Sequence, residues 1–338
     1  MKTDTVKAVR NLTFLLLLLA GLSSLAACSS GGSATAPTGV TRGVVTGFGS
    51  VYIDGVRYET NSSTVRRNLD DKTSATSVPD SSVFRTGMVV TVRHGENDHI
   101  ATEVDYRDLL KGPAANKNPL DNTFEVFGVK VFTDNNTKFF DSHDAGFNFT
   151  TLANGDIVEL SGLIDGAGAI HATYVERKPA GTGFEVKGFV TNLDNVLRTF
   201  VLALDSGASG GIPVTYDGST ELEDMTLSAL DNGVFVEVKT TSTAAPIYAR
   251  KIERENDDES EASEAARMDI EGFPTDINPI SKTFKLSGVS VATSSSTVYV
   301  DKRMMGRSGF ADITTSTRLE AEGPMSGGVM QAKKIEFK

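Results

Sequence analysis

The chain has 338 residues, a single cysteine, no tryptophan and a formal net charge of −11 at pH 7. One cysteine excludes an intramolecular disulfide framework, so stability has to come from packing, and a chain of this length usually divides into several cores. The acidic balance argues against a nucleic-acid partner, because phosphate backbones bind basic surfaces.

The first 28 residues have the pattern of an export signal. Three cations precede an apolar run over 12–22, which is shorter than the roughly 20 residues needed to cross a bilayer. The Leu-Ala-Ala-Cys segment ending at Cys28 resembles the lipobox of bacterial lipoproteins, which implies lipidation of the Cys28 thiol and anchoring in membrane lipid. By the same resemblance, Ser29 after the cysteine implies the outer membrane, facing either the periplasm or the cell surface. We therefore expect a lipoprotein of the cell envelope.

A short signature recurs near the end of four similar stretches of the chain. It reads Ala-x-x-Val/Ile-Asp/Glu at 101–105, 172–176, 249–253 and 332–336. A glycine and an alternating apolar segment precede three of the copies, at Gly87, Gly155 and Gly233, whereas Ser316 takes the glycine position in the fourth. Each pair of landmarks predicts a closing β-hairpin.

The spacing of apolar residues around the signature predicts an irregular strand. An apolar residue lies two positions before the alanine in three copies, yet the next one follows three positions after it. Strand side chains alternate with period 2, so this step predicts a bulge or bend. Between the opening strands and the hairpin, segments such as 225–230 fit one helical turn. The order predicts an all-β fold with minor helix, built from tandem five-stranded barrels like the oligonucleotide/oligosaccharide-binding (OB) barrel. Small open β-sandwich units are the alternative.

These landmarks divide the chain into segments. We predict a lipoprotein signal peptide at 1–27, a flexible tether at 28–38, barrel units at 39–107, 108–178, 183–254 and 268–338, and an acidic linker at 255–267. A run as acidic as this linker is typical of a solvated segment.

The succession of landmarks resembles the bacterial domain of unknown function 5666, which occurs in repeats on predicted lipoproteins. The resemblance covers nearly all of 39–338 and is best in the first unit, around residues 46–51. The third unit departs from it through an insertion at 205–211, and the fourth through Ser316. The resemblance implies a repeated β domain and no activity.

Two local clusters contain residue types that are typical of binding motifs. Gly43, Gly47 and Gly49 fit a tight turn or bulge better than a phosphate loop, because a strand and not a helix follows them. The hairpin tip with His94, Glu96, Asp98 and His99 offers weak metal candidates, but its spacing is not that of a defined metal site and a solvated turn is the preferred interpretation.

Three other sequence features have ordinary structural interpretations. The short cluster at 141–144 resembles the hairpin tip and fits a solvated turn. His171 is expected to be a half-exposed strand residue. The recurring acid that closes each unit fits a charged strand end that discourages edge pairing.

The sequence contains no pattern typical of catalysis. It has no Gly-x-Ser-x-Gly nucleophile elbow and singles out no carboxylate pair, so we expect no catalytic residues, no cofactor and no enzyme. We expect a lipid-anchored envelope protein whose barrels act as binding or spacer modules for an envelope protein or polysaccharide, although the absence of tryptophan weighs against sugar binding. The alternatives are a divalent-cation-binding protein, through the acidic run 255–264 or the histidine tip, and a hydrolase with acids converging at a seam between units.

Overall fold

Alternating apolar residues in the four similar stretches form short strands, and these strands dominate the fold. The computed structural model describes residues 39–68, 73–95, 98–255 and 265–338. Cys28, the tether, Glu96 and the acidic run 256–264 lie outside the described residues. Strands account for 52% of the residues and helical turns for 3%, which confirms the all-β class.

The strands group into four barrels in chain order. Barrel 1 contains β1 (Gly39–Gly47), β2 (Val51–Ile53), β3 (Val56–Tyr58), β4 (Val65–Asn68), β5 (Thr73–Ala75), β6 (Val89–His94) and β7 (Ala101–Tyr106). Barrel 2 contains β8 (Leu110–Asn118), β9 (Thr123–Val126), β10 (Val129–Phe132), β11 (Lys138–Phe140), β12 (Ile157–Ile164) and β13 (Ile170–Arg177). Barrel 3 contains β14 (Phe184–Asp194), β15 (Thr199–Ala203), β16 (Ile212–Thr215), β17 (Glu221–Glu223), β18 (Phe235–Thr240) and β19 (Ile247–Arg254). Barrel 4 contains β20 (Arg267–Gly272), β21 (Pro274–Asn278), β22 (Thr283–Leu286), β23 (Val289–Ala292), β24 (Val298–Asp301), β25 (Leu319–Ser326), β26 (Val329–Gln331) and β27 (Lys334–Phe337).

Five strands of each barrel pair in one closed circuit. In barrel 2 the order is β8, β9, β10, β13, β12 and back to β8, with β10 and β13 parallel. Barrel 3 repeats it with β14, β15, β16, β19 and β18. A bridge between Glu59 and Ile100 completes barrel 1, and in barrel 4 the first strand is broken into β20 and β21 at Phe273. Closure leaves no open edge in these circuits, so the units are OB-like barrels and not open sandwiches.

The fifth strand of each barrel carries the predicted irregularity. In barrel 2, Ser161 lies opposite Tyr174 and Gly162 opposite Ala172, so Thr173 is the bulged residue. The same skip occurs at Thr102 in barrel 1 and at Arg250 in barrel 3, and in barrel 4 the strand breaks between β26 and β27. The bulge prediction is confirmed.

An additional strand, which the sequence did not predict, follows the third strand of each barrel. These strands are β4, β11, β17 and β24, and each runs parallel to the part of the fifth strand that lies beyond the bulge. The bulge thus divides the fifth strand between two neighbours. The expected helical turn is present as a single 3₁₀ turn in barrels 1, 3 and 4, at Asp80–Ser82, Leu227–Ala229 and Phe310–Asp312.

A threonine that the sequence did not predict to be structural recurs beside the bulge or break in each fifth strand. The hydroxyls of Thr64, Thr137, Thr220 and Thr297 donate to the carbonyl oxygen of the signature alanine at 2.8, 2.7, 2.8 and 2.8 Å. Each hydroxyl oxygen accepts the backbone N–H of the residue three positions earlier, which is Asn61, Asp134, Asp217 or Ser294. The motif Asn/Asp/Ser-x-x-Thr is visible in all four stretches and would have identified the contact.

The repeated glycine is required by its backbone. Gly87, Gly155 and Gly233 have φ of +95°, +96° and +84°, a region that side chains with a Cβ disfavour. Ser316 does not have a left-handed backbone, so the fourth barrel enters its hairpin by a different turn.

The three glycines near the start of barrel 1 have separate roles. Gly47 lies at a bulge between β1 and β2, and Gly49 forms a turn with φ of +111°. Gly43 instead lies within β1, where a Cβ would come within 2.7 Å of the Ile53 side chain. The turn-or-bulge prediction therefore holds for Gly47 and Gly49 but not for Gly43.

The acids that close the units do not protect an open edge, contrary to expectation. Asp105, Glu176, Glu253 and Glu336 lie on fifth strands that have a neighbour on both sides. Each contacts a cation instead: Glu253, for example, lies 3.1 Å from the Lys251 ammonium. These acids therefore lie in clusters of charged side chains inside the fold.

The four barrels, which span the described residues from 39 to 338, pack into one compact unit. Barrels 1 and 4 join through parallel pairing of β1 with β20, and barrels 2 and 3 through antiparallel pairing of β8 with β14. Tyr174 of barrel 2 belongs to the core of barrel 1, and the hydroxyl of Ser161 accepts the Val89 N–H at 2.8 Å. Within the described part of the chain, no helix has the length and apolar character needed to cross a membrane.

Candidate functional site

A cleft of about 630 Å³ lies between barrels 1, 2 and 4. Its floor is the surface of a small apolar junction of Val89 from barrel 1, Leu163 from barrel 2 and Phe273 from barrel 4, with Val44 packed against them. Leu163, Phe273 and Val44 line the cleft itself, and Val89 lies beneath them. The break in the first strand of barrel 4 places Phe273 there. The cleft therefore depends on the packing of barrels and does not exist within any one of them.

One wall of the cleft is formed by three neighbouring rings, of which Phe132 and His171 stack and His171 and Phe273 are tilted. The His171 imidazole lies between the Phe132 ring, at a centroid distance of 4.9 Å, and the Phe273 ring, at 4.2 Å. Its Nε2 is 3.0 Å from a carboxylate oxygen of Asp165. Burial opposes ionisation of Asp165, but the His171 hydrogen bond and backbone N–H donors hold its pKa below the ordinary value. His171 is half-exposed on β13, as predicted.

Five cations and three carboxylates line the cleft. Two of the cations are neutralised: Arg318 Nε is 2.7 Å from a Glu271 oxygen, and the Lys338 ammonium pairs with Asp54. Three cations of the cleft make no ion pair with any described residue, and these are Lys138, Arg303 and Arg307. The Arg307 guanidinium lies over the Phe337 ring at 5.8 Å, a contact that does not neutralise its charge as an ion pair would.

Uncharged polar groups supply part of the remaining lining, beside apolar side chains. Hydroxyl and amide groups are supplied by Thr46, Thr86, Asn136, Thr173 and Ser316. A hydroxyl both donates and accepts hydrogen bonds, and an amide offers one acceptor and two donors. The cleft can therefore hydrogen-bond a ligand that carries many hydroxyl groups.

A second, central cavity is lined by residues of all four barrels but measures only about 70 Å³. It contains the buried ion pair between Lys187 and Asp108. Asp205 also faces it, and burial raises the pKa of that carboxyl, against the effect of the Gly207 N–H and Arg42. This volume holds a few water molecules at most, so the cavity is a packed polar centre and not a ligand site.

The sequence of the chain matches a known protein family. The family described as Domain of unknown function (DUF5666) matches residues 112–176, 187–253 and 271–336, more than half of the chain. The chain belongs to the DUF5666 family. No curated protein matches its sequence.

The three matches coincide with barrels 2, 3 and 4 of the DUF5666 chain. The expectation that the first unit would match best is wrong, because no match falls within 39–107 even though barrel 1 has the same strand circuit. The third and fourth units match despite the insertion at 205–211 and Ser316.

The histidine tip of the DUF5666 chain lies at the seam between barrels 1 and 4. His94 Nδ1 is 2.8 Å from the Gly95 carbonyl oxygen, and its Nε2 is 3.2 Å from the Thr41 hydroxyl. Burial lowers the pKa of His94, which favours the neutral ring. The His99 ring stacks on it at 5.9 Å, and Asp98 accepts the Ile100 N–H. Metal binding by these residues stays a prediction.

Carboxylates also cluster elsewhere, and lysines accompany them. Three groups have oxygens within 4.8 Å of one another: Asp54 with Glu320 and Glu336, Glu223 with Asp224 and Glu253, and Glu237 with Glu253 and Glu255. Lys338 pairs with all three acids of the first group, Lys251 with Glu223 and Glu253, and Lys239 with Glu237. In the DUF5666 fold these ammonium groups already compensate much of the charge that a metal ion would.

The acids predicted to form a solvated turn at 141–144 contact an arginine. Arg177 Nε lies 2.5 Å from Asp141, and its terminal nitrogen lies 2.9 Å from Asp144. The hydrogen bonds from His143 N–H and Arg177 lower the pKa of Asp141. The ion pairs of this cluster connect the end of β13 to the segment that follows β11.

Proposed function

We propose that this protein is a non-enzymatic, lipid-anchored protein of the cell envelope that binds a saccharide in the cleft between barrels 1, 2 and 4. The cleft carries the proposal. Its volume falls within the roughly 300–1,000 Å³ typical of ligand pockets, and three barrels build its walls. A spacer of independent barrels would have no need of a shared cleft, so the packing favours binding over spacing.

A saccharide suits the lining best. Sugars present many hydroxyl groups on an apolar ring, and the cleft offers hydroxyl and amide groups beside the half-exposed Phe132 and His171. These rings supply part of the flat apolar surface for which tryptophan is the common choice, and which the sequence lacks. An envelope polysaccharide is the corresponding partner.

The binding test compares two bulged threonines with equivalent positions. Thr173 lines the cleft and donates to the Ser161 carbonyl at 3.2 Å, whereas Thr102 in barrel 1 donates to the Arg93 carbonyl at 3.1 Å and does not line the cleft. Mature protein is applied to an array of neutral and acidic oligosaccharides. We expect Thr173→Trp to weaken binding at least tenfold by filling the cleft, and Thr102→Trp to bind like the wild type. Absence of binding to every sugar, or normal binding by Thr173→Trp, would contradict the proposal.

The anchor is tested separately in cells. We expect labelled palmitate to enter the wild-type protein and not Cys28→Ser, and the variant to leave the outer-membrane fraction. Equal labelling of both proteins would refute lipidation at Cys28.

The two alternatives make different demands on the structure. A divalent-cation protein would use the carboxylate groups described above, and titration calorimetry with calcium, zinc and copper tests it; the lysines within those groups weigh against it. A hydrolase would use acids at the seam, but Glu271 and Asp54 in the cleft are already paired with Arg318 and Lys338. Saccharide binding remains the function that the geometry favours.

A further inference from the structure

We infer that the cleft selects acidic saccharides, whose carboxylate or phosphate groups bind Lys138, Arg303 and Arg307. This inference rests on the proposed function and specifies its ligand. It starts from a contrast in charge: the chain carries a net charge of −11, yet cations outnumber carboxylates in the cleft. Cations gathered in one concave region of an acidic protein attract anions to that region.

The surplus charge belongs to side chains that the described fold does not use for pairing. Arg318 pairs with Glu271 inside barrel 4, and Lys338 connects barrel 4 to Asp54 of barrel 1. Lys138 and Arg303 are exposed and Arg307 is half-exposed, and none of the three makes an ion pair within the part of the chain that the structure describes, although the Asp301 carboxylate attracts Arg307 at longer range. A bound anion would complete their charge pairing without breaking an existing ion pair.

The segment that carries the two arginines is held by hydrogen bonds between its backbone and the Asp301 carboxylate. The Asp301 carboxylate accepts the N–H of Arg303 at 3.2 Å and the N–H of Arg307 at 2.9 Å. The Arg307 hydrogen bond is the largest influence on Asp301, and these N–H donors lower the pKa of its carboxyl. Asp301 therefore stays ionised and holds the segment, which reduces the ordering that ligand binding would otherwise require.

The two kinds of cation lie on different barrels. Lys138 belongs to β11 of barrel 2, whereas Arg303 and Arg307 follow β24 of barrel 4. A guanidinium can bind a carboxylate or phosphate with two parallel hydrogen bonds, and an ammonium acts as a point charge. A ligand with more than one anionic group can engage both barrels, so we expect an acidic oligosaccharide to bind more tightly than a single acidic sugar.

The test uses mature protein and three probes: an oligogalacturonate, a phosphorylated mannan fragment and neutral dextran. Binding is measured by calorimetry at low and high salt. We expect the acidic probes to bind, the affinity to fall as salt rises, and dextran to bind at least tenfold more weakly. The double variant Arg303→Ala/Arg307→Ala should lose at least tenfold in affinity for the acidic probes, and Lys138→Ala should lose less.

The control is Arg250→Ala, which removes an exposed arginine of barrel 3 that does not line the cleft. We expect it to bind like the wild type. Preference for oligogalacturonate assigns the anion as carboxylate, and preference for the mannan fragment assigns it as phosphate. Equal binding of dextran, or full affinity in the double arginine variant, would overturn the acidic selectivity. If dextran bound as well as the acidic probes and Thr173→Trp abolished that binding, the proposed saccharide site would stand without the acidic selectivity. If no probe bound, both the saccharide site and its selectivity would be refuted.

Discussion

Phe273 is the residue on which the three-barrel junction most depends, and its replacement by alanine tests the assembly. Its ring is only 6% exposed, packs with Val89 of barrel 1 and Leu163 of barrel 2, and lies 4.2 Å from the His171 ring. Phe273→Ala removes the contribution of barrel 4 to the cleft floor and leaves the core of barrel 4 intact.

The magnitude follows from burial and from the neighbouring cleft. Burial of a phenylalanine side chain contributes about 1.5–3 kcal/mol, and Phe→Ala in a closed core costs about 3–5 kcal/mol because a cavity remains. Phe273 borders an open cleft that water enters, so the cavity contribution is smaller. We expect Phe273→Ala to lower the free energy of unfolding by about 2–3 kcal/mol.

The matched control is Phe284→Ala, which removes a 2% exposed ring from the core of the same barrel. Urea unfolding followed by circular dichroism gives the stability of each variant, and hydrogen exchange locates the change. Phe273→Ala should accelerate exchange in β6 and β12, which carry Val89 and Leu163, and spare β22 and β23. Phe284→Ala should show the opposite pattern. A loss below about 0.5 kcal/mol for Phe273→Ala, or faster exchange confined to barrel 4, would refute the role of Phe273 as a junction.

Three further predictions address the repeated elements. Gly87→Ala should lower the melting temperature more than Gly155→Ala: both lose about 1–2 kcal/mol to a left-handed backbone, but only at Gly87 would the new Cβ meet a backbone oxygen, that of Thr173, at 2.5 Å; equal losses would contradict this contact. Thr297→Val should cost about 1–3 kcal/mol in urea unfolding because the buried Ala332 carbonyl loses its donor, whereas Thr293→Val, at an exposed bond, should cost less. Burial, with Glu103 adding to it and Arg93 opposing, raises the pKa of Asp105 from 3.8 to about 7. Because the pKa of Asp105 is higher in the folded than in the unfolded state, protonation of this carboxyl favours folding. This stabilisation is complete below about pH 4 and is lost as the pH rises to about 7. The free energy of unfolding should therefore fall less between pH 5 and pH 8 in Asp105→Asn than in the wild type. An equal fall in the two proteins would count against the raised pKa of Asp105.

Much of each barrel was accessible from local pattern. Alternation with period 2 predicted the strands, and the odd step around the signature predicted the bulge seen at Thr173. The extra strands, such as β17 at Glu221–Glu223, were missed because three residues are too few to show a period. The threonine contact was missed because its partners lie 29 to 37 residues apart, although the motif recurs.

The anchor hypothesis at Cys28, the repeat, the strand class and the barrel order followed from the sequence alone, because each depends on residues close together in the chain. The tertiary structure decided how the barrels pack, and with it the candidate site. Phe132, Phe273 and Arg307 belong to separate segments whose local patterns indicate only a strand or a loop. They share a cleft because β1 pairs with β20 and the residues around Val89, Leu163 and Phe273 bury apolar surface together. Such long-range contacts depend on the shapes of finished barrels, which no short stretch of sequence specifies.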